Sequence, residues 1–273
     1  MLGIASAELV LFFLTLNTAV LAILAATAIA FAVGYIDDSR AMPGWFKPAA
    51  LCAAALPIVL LHAHGDHLNL VFGSAFIPLL YIPLIFVIIP VVGNTINSID
   101  VLNGVASGFI IISSIPLLAA TAIFGSIEVF LAGLPLFFAA IAFFRYHKYP
   151  SRIFPGDSGA LLLGVMYGAL AIAGKSEIIG VVALIPAVLN SFLFLSSVKR
   201  IIEHRQVRSR PVVILDDNRL AASKDPSAPI TLVRLIVSEG PLSEKETSNK
   251  IFKLAIISAI LAFATIAIQY VMM

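Results

Sequence analysis

Apolar runs of about twenty residues recur along the whole chain and limit what it can fold into. A helix needs about 20 apolar residues to cross a bilayer. The chain is 60% hydrophobic and only 12% charged, about half the charged fraction of a soluble domain. We therefore predict an all-α polytopic membrane protein, a bundle of about eight transmembrane helices. The predicted spans are 6–33, 47–63, 79–98, 103–124, 127–144, 158–174, 178–198 and 250–271.

The cysteine content and the first apolar run bear on whether the chain has disulfide bonds, a cysteine-based metal site or a cleaved leader. The single cysteine, Cys52, lies in an apolar run, so we expect neither a disulfide framework nor a cysteine-based metal site. The first apolar run is too long for a signal peptide and has no basic start. We therefore interpret it as a spanning helix rather than a cleaved leader.

Basic residues are distributed unevenly across the predicted spans. The eight spans predicted from hydropathy place successive loops on opposite faces of the membrane. Of the 17 Lys and Arg residues, Lys175 alone falls on one face and all the others fall on the opposite face. By the positive-inside rule the face with the other basic residues is cytoplasmic. This assignment puts both termini outside and predicts a multi-pass protein of the cell's cytoplasmic membrane.

A polar stretch interrupts the apolar runs between the third and fourth predicted spans. Asn94, Asn97, Asp100 and Asn103 fall every third residue, so a helix would align them along one slowly drifting stripe. A lone Asp in lipid costs roughly 2.5–3.5 kcal/mol at mid-depth, which favours a functional role. The alternative is a polar helix end wetted by headgroup water.

Three further carboxylates fall on the same predicted face. Asp37 and Asp38 close the first predicted span, and Asp157 opens the sixth. Inner-face carboxylates opposite a basic loop are what a metal–diphosphate site requires. The carboxylate and amide oxygens favour a hard divalent cation, Mg²⁺ first and Mn²⁺ as the alternative.

Two loops carry the remaining features. His62, His64 and His67 have a spacing compatible with a metal site, but no Cys or Glu is near in sequence, so we favour a solvated connection with short β structure.

The segment 199–249 is interpreted as a cytoplasmic loop insertion in a single domain, 1–273. Within it we predict a strand at 212–215, a turn at 216–218 and an amphipathic stretch at 226–237 lying on the membrane surface. The alternative is a solvated basic linker near anionic lipid.

Four motifs together resemble one family, the polyprenyl-phosphate N-acetylhexosamine-1-phosphate transferases, in the family's own order. The resemblance is closest to the archaeal and eukaryotic branch, which makes dolichyl-diphosphate-N-acetylglucosamine. The motifs are Gly34-Tyr35-Ile36-Asp37-Asp38 with Lys47, Asn94 through Gly104, Phe154-Pro155-Gly156-Asp157-Ser158-Gly159, and Arg208-Ser209-Arg210-Pro211.

The resemblance implies a transfer of N-acetylhexosamine-1-phosphate, with N-acetylglucosamine first, from a UDP-sugar to polyprenyl or dolichyl phosphate. UMP would leave, and the product would begin lipid-linked glycan assembly. The lipid bilayer is an expected partner, nucleic acid is not, and a homodimer is left open. The sugar and the lipid chain are not determined by the sequence.

The resemblance also implies roles for individual residues. Asn97 and Asp157 would ligate the metal, and Asp37 and Asp38 would orient the lipid phosphate, with Asp37 also able to take a residual proton. The remaining catalytic positions would be Lys47, Arg208 and Arg210, which neutralise phosphate charge, and Asp100. The remaining substrate-binding positions would be Asn94, Asn103 and Phe154, of which Phe154 stacks on uracil and Asn103 hydrogen-bonds it.

Two departures from the family pattern accompany the resemblance. The family usually has about ten spans, so we expect two N-terminal helices to be missing here, together with a glycine-rich loop that helps to hold the nucleotide; either the open reading frame starts late or this is a shorter member. Ser209 stands where the basic motif normally carries histidine, and His204 lies five residues upstream. Two alternative functions therefore stay open, an ion-coupled transporter and a catalytically silent relative.

Overall fold

The structure, a computed structural model, describes residues 1–40, 42–199, 207 and 209–272. Nearly all of its regular structure is helical, which confirms the predicted fold class. The helices are α1 Leu2–Thr15, α2 Thr18–Ser39, α3 Phe46–Leu60, α4 Pro78–Ile99, α5 Val105–Phe124, α6 Ile127–His147, α7 Gly156–Ala173, α8 Glu177–Ala183, α9 Ile185–Val198, α10 Leu232–Ile236 and α11 Glu244–Met272. The strands are β1 His67–Asn69, β2 Ser74–Phe76, β3 Val212–Ile214 and β4 Leu220–Ala222.

The first predicted span is wrong as a single helix. Leu16 adopts a left-handed conformation with φ 52° and ends α1. Asn17 then caps α2, because its side chain accepts a hydrogen bond from the backbone N of Ala19 at 2.9 Å. Hydropathy misses this break because both flanking segments are equally apolar. As a result α2 runs on to Ser39, and Asp37 and Asp38 lie in its last turn.

Six helices in the described part of the chain are long and apolar enough to cross a membrane. They are α2, α4, α5, α6, α7 and α11. The seventh predicted span is two helices, α8 and α9, bent by 73° at Leu184, and counting them as one span gives seven. Helix α3 has only 15 residues, about 22 Å at 1.5 Å per residue. The predicted count of eight spans is therefore not confirmed.

Helix α7 forms the centre of the bundle. Residues 160–172 are all buried, and α7 packs against α2 and α4. Glycines permit this close approach. A Cβ on Gly34 would lie 2.4 Å from the Cα of Ser158, and one on Gly164 would lie 2.8 Å from the Cα of Gly93. These contacts bring the ends of α2, α4 and α7 together on one side of the bundle.

The short β elements agree in part with the sequence predictions. Strands β1 and β2 pair antiparallel after His64, which confirms a short β connection there. Strand β3 pairs with β4 across the predicted turn at 216–218. The amphipathic stretch at 226–237 is predicted to lie with its apolar face on the membrane surface. That prediction is wrong for the apolar residues that are buried in the protein. Leu232, Val233 and Val237 are buried in the protein core, and α10 packs against α9 and α11.

Candidate active site

A lysine and two aspartates from three different helices meet at one end of the bundle. The Nζ of Lys47, in the first turn of α3, lies 3.0 Å from Oδ2 of Asp37 and 3.0 Å from Oδ2 of Asp157. The three side chains are buried, with exposed fractions of 6%, 1% and 14%. Buried charges are stable when they are paired. The three groups together carry one net negative charge.

An asparagine from a fourth helix completes this cluster. The Asn97 side chain, near the end of α4, hydrogen-bonds the carboxylate of Asp157, and the carboxylates of Asp37 and Asp157 both contact the Lys47 ammonium group. The structure therefore brings together Asn97 and Asp157, the two predicted metal ligands, and Asp37, which is predicted to orient the lipid phosphate. Asp37 also accepts a hydrogen bond from the backbone N of Met42 at 3.0 Å, which folds the α2–α3 loop over the cluster.

The donor set of the cluster fits Mg²⁺. Two carboxylates and one amide provide oxygen ligands, and Mg²⁺ is usually held by one or two carboxylates plus water and substrate phosphates. The described residues contain no group of three or more His, Cys, Asp or Glu suited to a metal, so the protein would supply only part of a coordination sphere. That partial set leaves positions for phosphate oxygens.

Asp38 is exposed, but it binds the backbone at the start of α7. Its two carboxylate oxygens accept hydrogen bonds from the backbone N of Asp157 and of Ser158, both at 2.9 Å. A carboxylate at the start of a helix is favourable because the free N–H groups there carry partial positive charge. Asp38 therefore holds the first turn of α7, and with it Asp157. Its predicted contact with a lipid phosphate stays a prediction.

Gly156 makes the contact between Asp38 and α7 possible. It has φ +63°, a left-handed conformation that glycine adopts without strain. A Cβ at this position would lie 2.8 Å from Oδ2 of Asp38. The Pro-Gly-Asp-Ser order of the third motif is therefore explained by backbone geometry as well as by its aspartate.

Asp100 lies in the loop between α4 and α5, behind the cluster. Its Oδ1 is 3.5 Å from Nε2 of His147, and the other ring nitrogen of His147 lies 2.9 Å from the Oγ of Ser107. The carboxylate also accepts the backbone N–H of Ala106. Burial raises the pKa of Asp100 to about 7, and the charge of Asp157 adds to this effect. Asp100 thus caps the start of α5 and lies close to His147 at the end of α6.

The predicted substrate-binding residues have unequal surroundings. Asn94 donates to the backbone O of Pro90 within its own helix, at 2.9 Å. Phe154 is 60% exposed, with its ring edge-on to His147 at a centroid distance of 5.3 Å. The side chain of Asn103 contacts Glu244 and Ser151. Only Phe154 presents a largely open face.

The basic motif of the loop is only partly described. Arg208 lies outside the described residues, as does His204. Arg210 is exposed and forms no ion pair with another residue in the described ranges. The Ser209 hydroxyl donates a hydrogen bond to Asp225. The structure therefore leaves the predicted phosphate contacts of this motif as predictions.

Sequence reasoning missed three residues that contact predicted site residues. His147, Ser151 and Glu244 touch Asp100 or Asn103. His147 and Ser151 flank a basic stretch that resembles an ordinary cytoplasmic loop, and Glu244 stands among exposed charges at the start of α11. No local pattern distinguishes these positions, since their partners are 47 to 141 residues away.

Comparison with known proteins decides the family. The sequence model of glycosyl transferase family 4 matches residues 20–175, more than half of the chain. The chain belongs to glycosyl transferase family 4. The matched part of this family 4 protein includes the four clustered residues Asp37, Lys47, Asn97 and Asp157.

Individual relatives of this family 4 protein come from bacteria and archaea. A phospho-N-acetylmuramoyl-pentapeptide-transferase of Streptococcus mutans is 31% identical over 60% of this chain and 53% of its own length. A Saccharolobus solfataricus protein, provisionally named UDP-N-acetylglucosamine–dolichyl-phosphate N-acetylglucosaminephosphotransferase, is 28% identical over 56% and 48%. A provisionally named glycosyltransferase of Methanocaldococcus jannaschii is 27% identical over 78% and 65%. The match covers about half of the length of the first two of these relatives and 65% of the third.

Proposed function

We propose that this family 4 protein transfers N-acetylhexosamine-1-phosphate from a UDP-sugar to a polyprenyl phosphate and releases UMP. N-acetylglucosamine is the proposed sugar, with a dolichyl-type lipid as the acceptor. The observation that carries the proposal is the cluster of Asp37, Lys47, Asn97 and Asp157 at one end of the bundle. The names of the bacterial and archaeal relatives support the reaction class.

The proposed reaction exchanges one phosphoanhydride bond for another. An oxygen of the lipid phosphate bonds to the phosphorus that carries the sugar, and the bond from that phosphorus to UMP breaks. A phosphomonoester has its second pKa near 6, so the attacking oxygen is already ionised at neutral pH. The obstacle is therefore the approach of two anions, and positioning together with charge neutralisation supplies most of the catalysis.

The clustered residues suit that task. Asn97 and Asp157 would hold the Mg²⁺, which when bound neutralises charge on the diphosphate, and Asp37 beside them would orient the lipid phosphate. Lys47 contributes a buried cation between the two carboxylates. Asp38 accepts hydrogen bonds from the first turn of α7 and so keeps the Asp157 carboxylate in place.

The position of the cluster favours an enzyme over an ion-coupled transporter. Asp37 lies in the last turn of α2, Asn97 near the end of α4, and Asp157 in the first turn of α7. Transporter sites typically lie near the bilayer midplane at broken helices. A site at helix ends is open to a water-soluble nucleotide sugar and to a lipid headgroup at the same time. We propose that this face is cytoplasmic.

A transfer assay tests the proposal. Membranes containing the full chain are incubated with labelled UDP-N-acetylglucosamine, polyprenyl phosphate and Mg²⁺, and lipid-linked sugar and UMP are measured. The wild type should form both products in equal amounts, and Asp157→Ala should form neither at an unchanged expression level. Lys175→Ala, at the opposite end of the bundle, is the control and should retain activity. No product from the wild type would refute the proposed reaction.

The donor sugar needs a separate experiment. The relatives include enzymes named for N-acetylmuramoyl-pentapeptide and one named for N-acetylglucosamine. Unlabelled UDP-N-acetylglucosamine, UDP-N-acetylgalactosamine and UDP-N-acetylmuramoyl-pentapeptide are added in turn as competitors to the transfer assay. The proposal expects the first to compete best. Stronger competition by the pentapeptide donor would replace the proposed sugar and leave the reaction class unchanged.

A further inference from the structure

Asn103 is anchored by three residues from two other parts of the chain, α11 and the loop between α6 and α7. Its Nδ2 and its backbone N both donate to Oε1 of Glu244, at 2.6 and 2.7 Å. Its Oδ1 accepts a hydrogen bond from the backbone N of Ser151 at 3.2 Å. Its backbone O accepts from the Oγ of Ser248 at 3.4 Å. Both ends of the Asn103 amide therefore have a protein partner.

The two partners of the amide determine which way it points. The Glu244 carboxylate can only accept hydrogen bonds, and the backbone N–H of Ser151 can only donate. Turning the amide over would bring Oδ1 against the carboxylate and Nδ2 against the N–H. Both hydrogen bonds would then be lost and two like groups would face each other. Only one orientation of Asn103 is compatible with its surroundings.

The fixed amide still has hydrogen-bonding capacity. An Asn side chain has two N–H donors and two oxygen lone pairs, and Glu244 and Ser151 use one of each. One donor and one acceptor remain on an amide that is only partly buried. We propose that Glu244 is a specificity-determining residue, which fixes Asn103 so that its free edge matches uracil and not cytosine. This inference rests on the proposed function, in which the donor carries UDP.

Base chemistry explains why a fixed amide discriminates. Uracil presents a carbonyl oxygen beside N3–H, an acceptor next to a donor. Cytosine presents an amino group beside an unprotonated N3 at the same two positions, so the order is reversed. A fixed amide pairs with the first order and opposes the second at both atoms. A freely turning amide could match either base, so the discrimination depends on the groups that prevent the turn.

Another glutamate at the start of α11 provides a matched control. Glu246 lies two residues after Glu244 and accepts hydrogen bonds from the backbone N and the Oγ of Ser243, at 2.8 and 2.7 Å. This pair is a capping box for α11. It has no hydrogen bond to Asn103. Glu246→Ala therefore disturbs the start of α11 without releasing the amide.

The test measures equilibrium binding of UMP and of CMP to the purified full chain by calorimetry. We expect the wild type to prefer UMP, and Glu244→Ala to reduce the ratio of the two affinities by about tenfold. Glu244→Gln should keep most of the ratio, because its Oε1 can still accept both hydrogen bonds. Glu246→Ala should keep the wild-type ratio even if the protein is less thermostable.

The outcomes separate this inference from the proposed function. A Glu244→Ala protein with the wild-type ratio overturns the inference while the transfer reaction stands. Asn103→Ala gives a second, independent test, since a full preference for UMP without the amide also overturns it. A wild type that binds neither UMP nor the UDP-sugar and forms no lipid-linked product overturns the proposed function and this inference together.

Discussion

Lys47 has two carboxylate partners in a buried setting, and its charge is what lets them lie close together. Asp37 and Asp157 belong to helices that are 120 residues apart in sequence, yet each is 3.0 Å from the same Nζ. Without the ammonium group the two carboxylates would face each other with little solvent. The lysine of the first motif therefore stabilises the two buried carboxylates, whatever its role in the reaction.

Replacing Lys47 by Ala should destabilise the protein and stop transfer. Breaking a buried ion pair by removing one partner typically costs about 3–5 kcal/mol, because the other charge stays buried. Thermal unfolding in detergent measures the loss. The double variant Lys47→Ala with Asp37→Asn removes one carboxylate as well and should recover part of the stability. A Lys47→Ala protein as stable as the wild type would contradict this account.

Asp100 makes the stability of the protein depend on pH. Burial raises its pKa from 3.8 to about 7, so folding favours the neutral carboxyl group. Its contribution to stability is complete below about pH 4 and is lost as the pH rises through about 7. Asp100→Asn cannot ionise, so its thermal stability should change less between these two pH values. Parallel pH profiles of the two proteins would contradict the prediction.

At the scale of the helices, the close pairing of α2 with α7 positions the site. Gly34 lies one turn before Asp37, and its Cα faces the backbone of Ser158, next to Asp157. Two aspartates on neighbouring helices can share a lysine only when the helix ends approach this closely. The glycine of the first motif is thus needed for geometry rather than for chemistry.

Gly34→Ala should separate α2 from α7. The new methyl carbon would lie 2.4 Å from the Cα of Ser158, and backbone cannot move aside as a flexible side chain can. Overpacking of this kind costs about 1–3 kcal/mol, and transfer activity should fall with it. Gly3→Ala is the matched control, since nothing lies within 4 Å of its added Cβ. Thermal unfolding and the transfer assay measure both variants, and equal behaviour would contradict the role of Gly34.

At the scale of the whole molecule, the bundle has two chemically different ends. The aspartate–lysine cluster and the loop with β3, β4 and α10 belong to one end, and Lys175, just after α7, belongs to the other. From the positive-inside rule we propose that the first end faces the cytoplasm. The helix order agrees with this division, because α7 begins at the cluster and ends beside Lys175.

Thiol labelling tests the orientation of the bundle. Lys224→Cys and Lys175→Cys, both at exposed positions, are made in a background where Cys52 is replaced by Ala. A membrane-impermeant maleimide added to intact cells should label Lys175→Cys and spare Lys224→Cys until the membrane is permeabilised. The reverse pattern would invert the proposed topology and put the cluster outside.

The amino-acid sequence by itself determined that the chain is a helical membrane protein, because the length and polarity of an apolar run are local properties. It also indicated which polar motifs belong together, since Asp37, Asn97 and Asp157 stand at the ends of predicted spans. The break at Leu16 and the bend at Leu184 were not predicted, because apolar residues continue on both sides of each.

Only the tertiary structure decided the partners of these residues. Lys47 between two carboxylates, Asp38 on the first turn of α7, and Asn103 held by Glu244 are contacts across 10 to 141 residues of sequence. Such contacts depend on how closely the helices pack, and packing depends on small residues such as Gly34 and Gly164 that carry no chemical signal of their own. Hydropathy and motif order contain no distances, and the function of this site depends on distances.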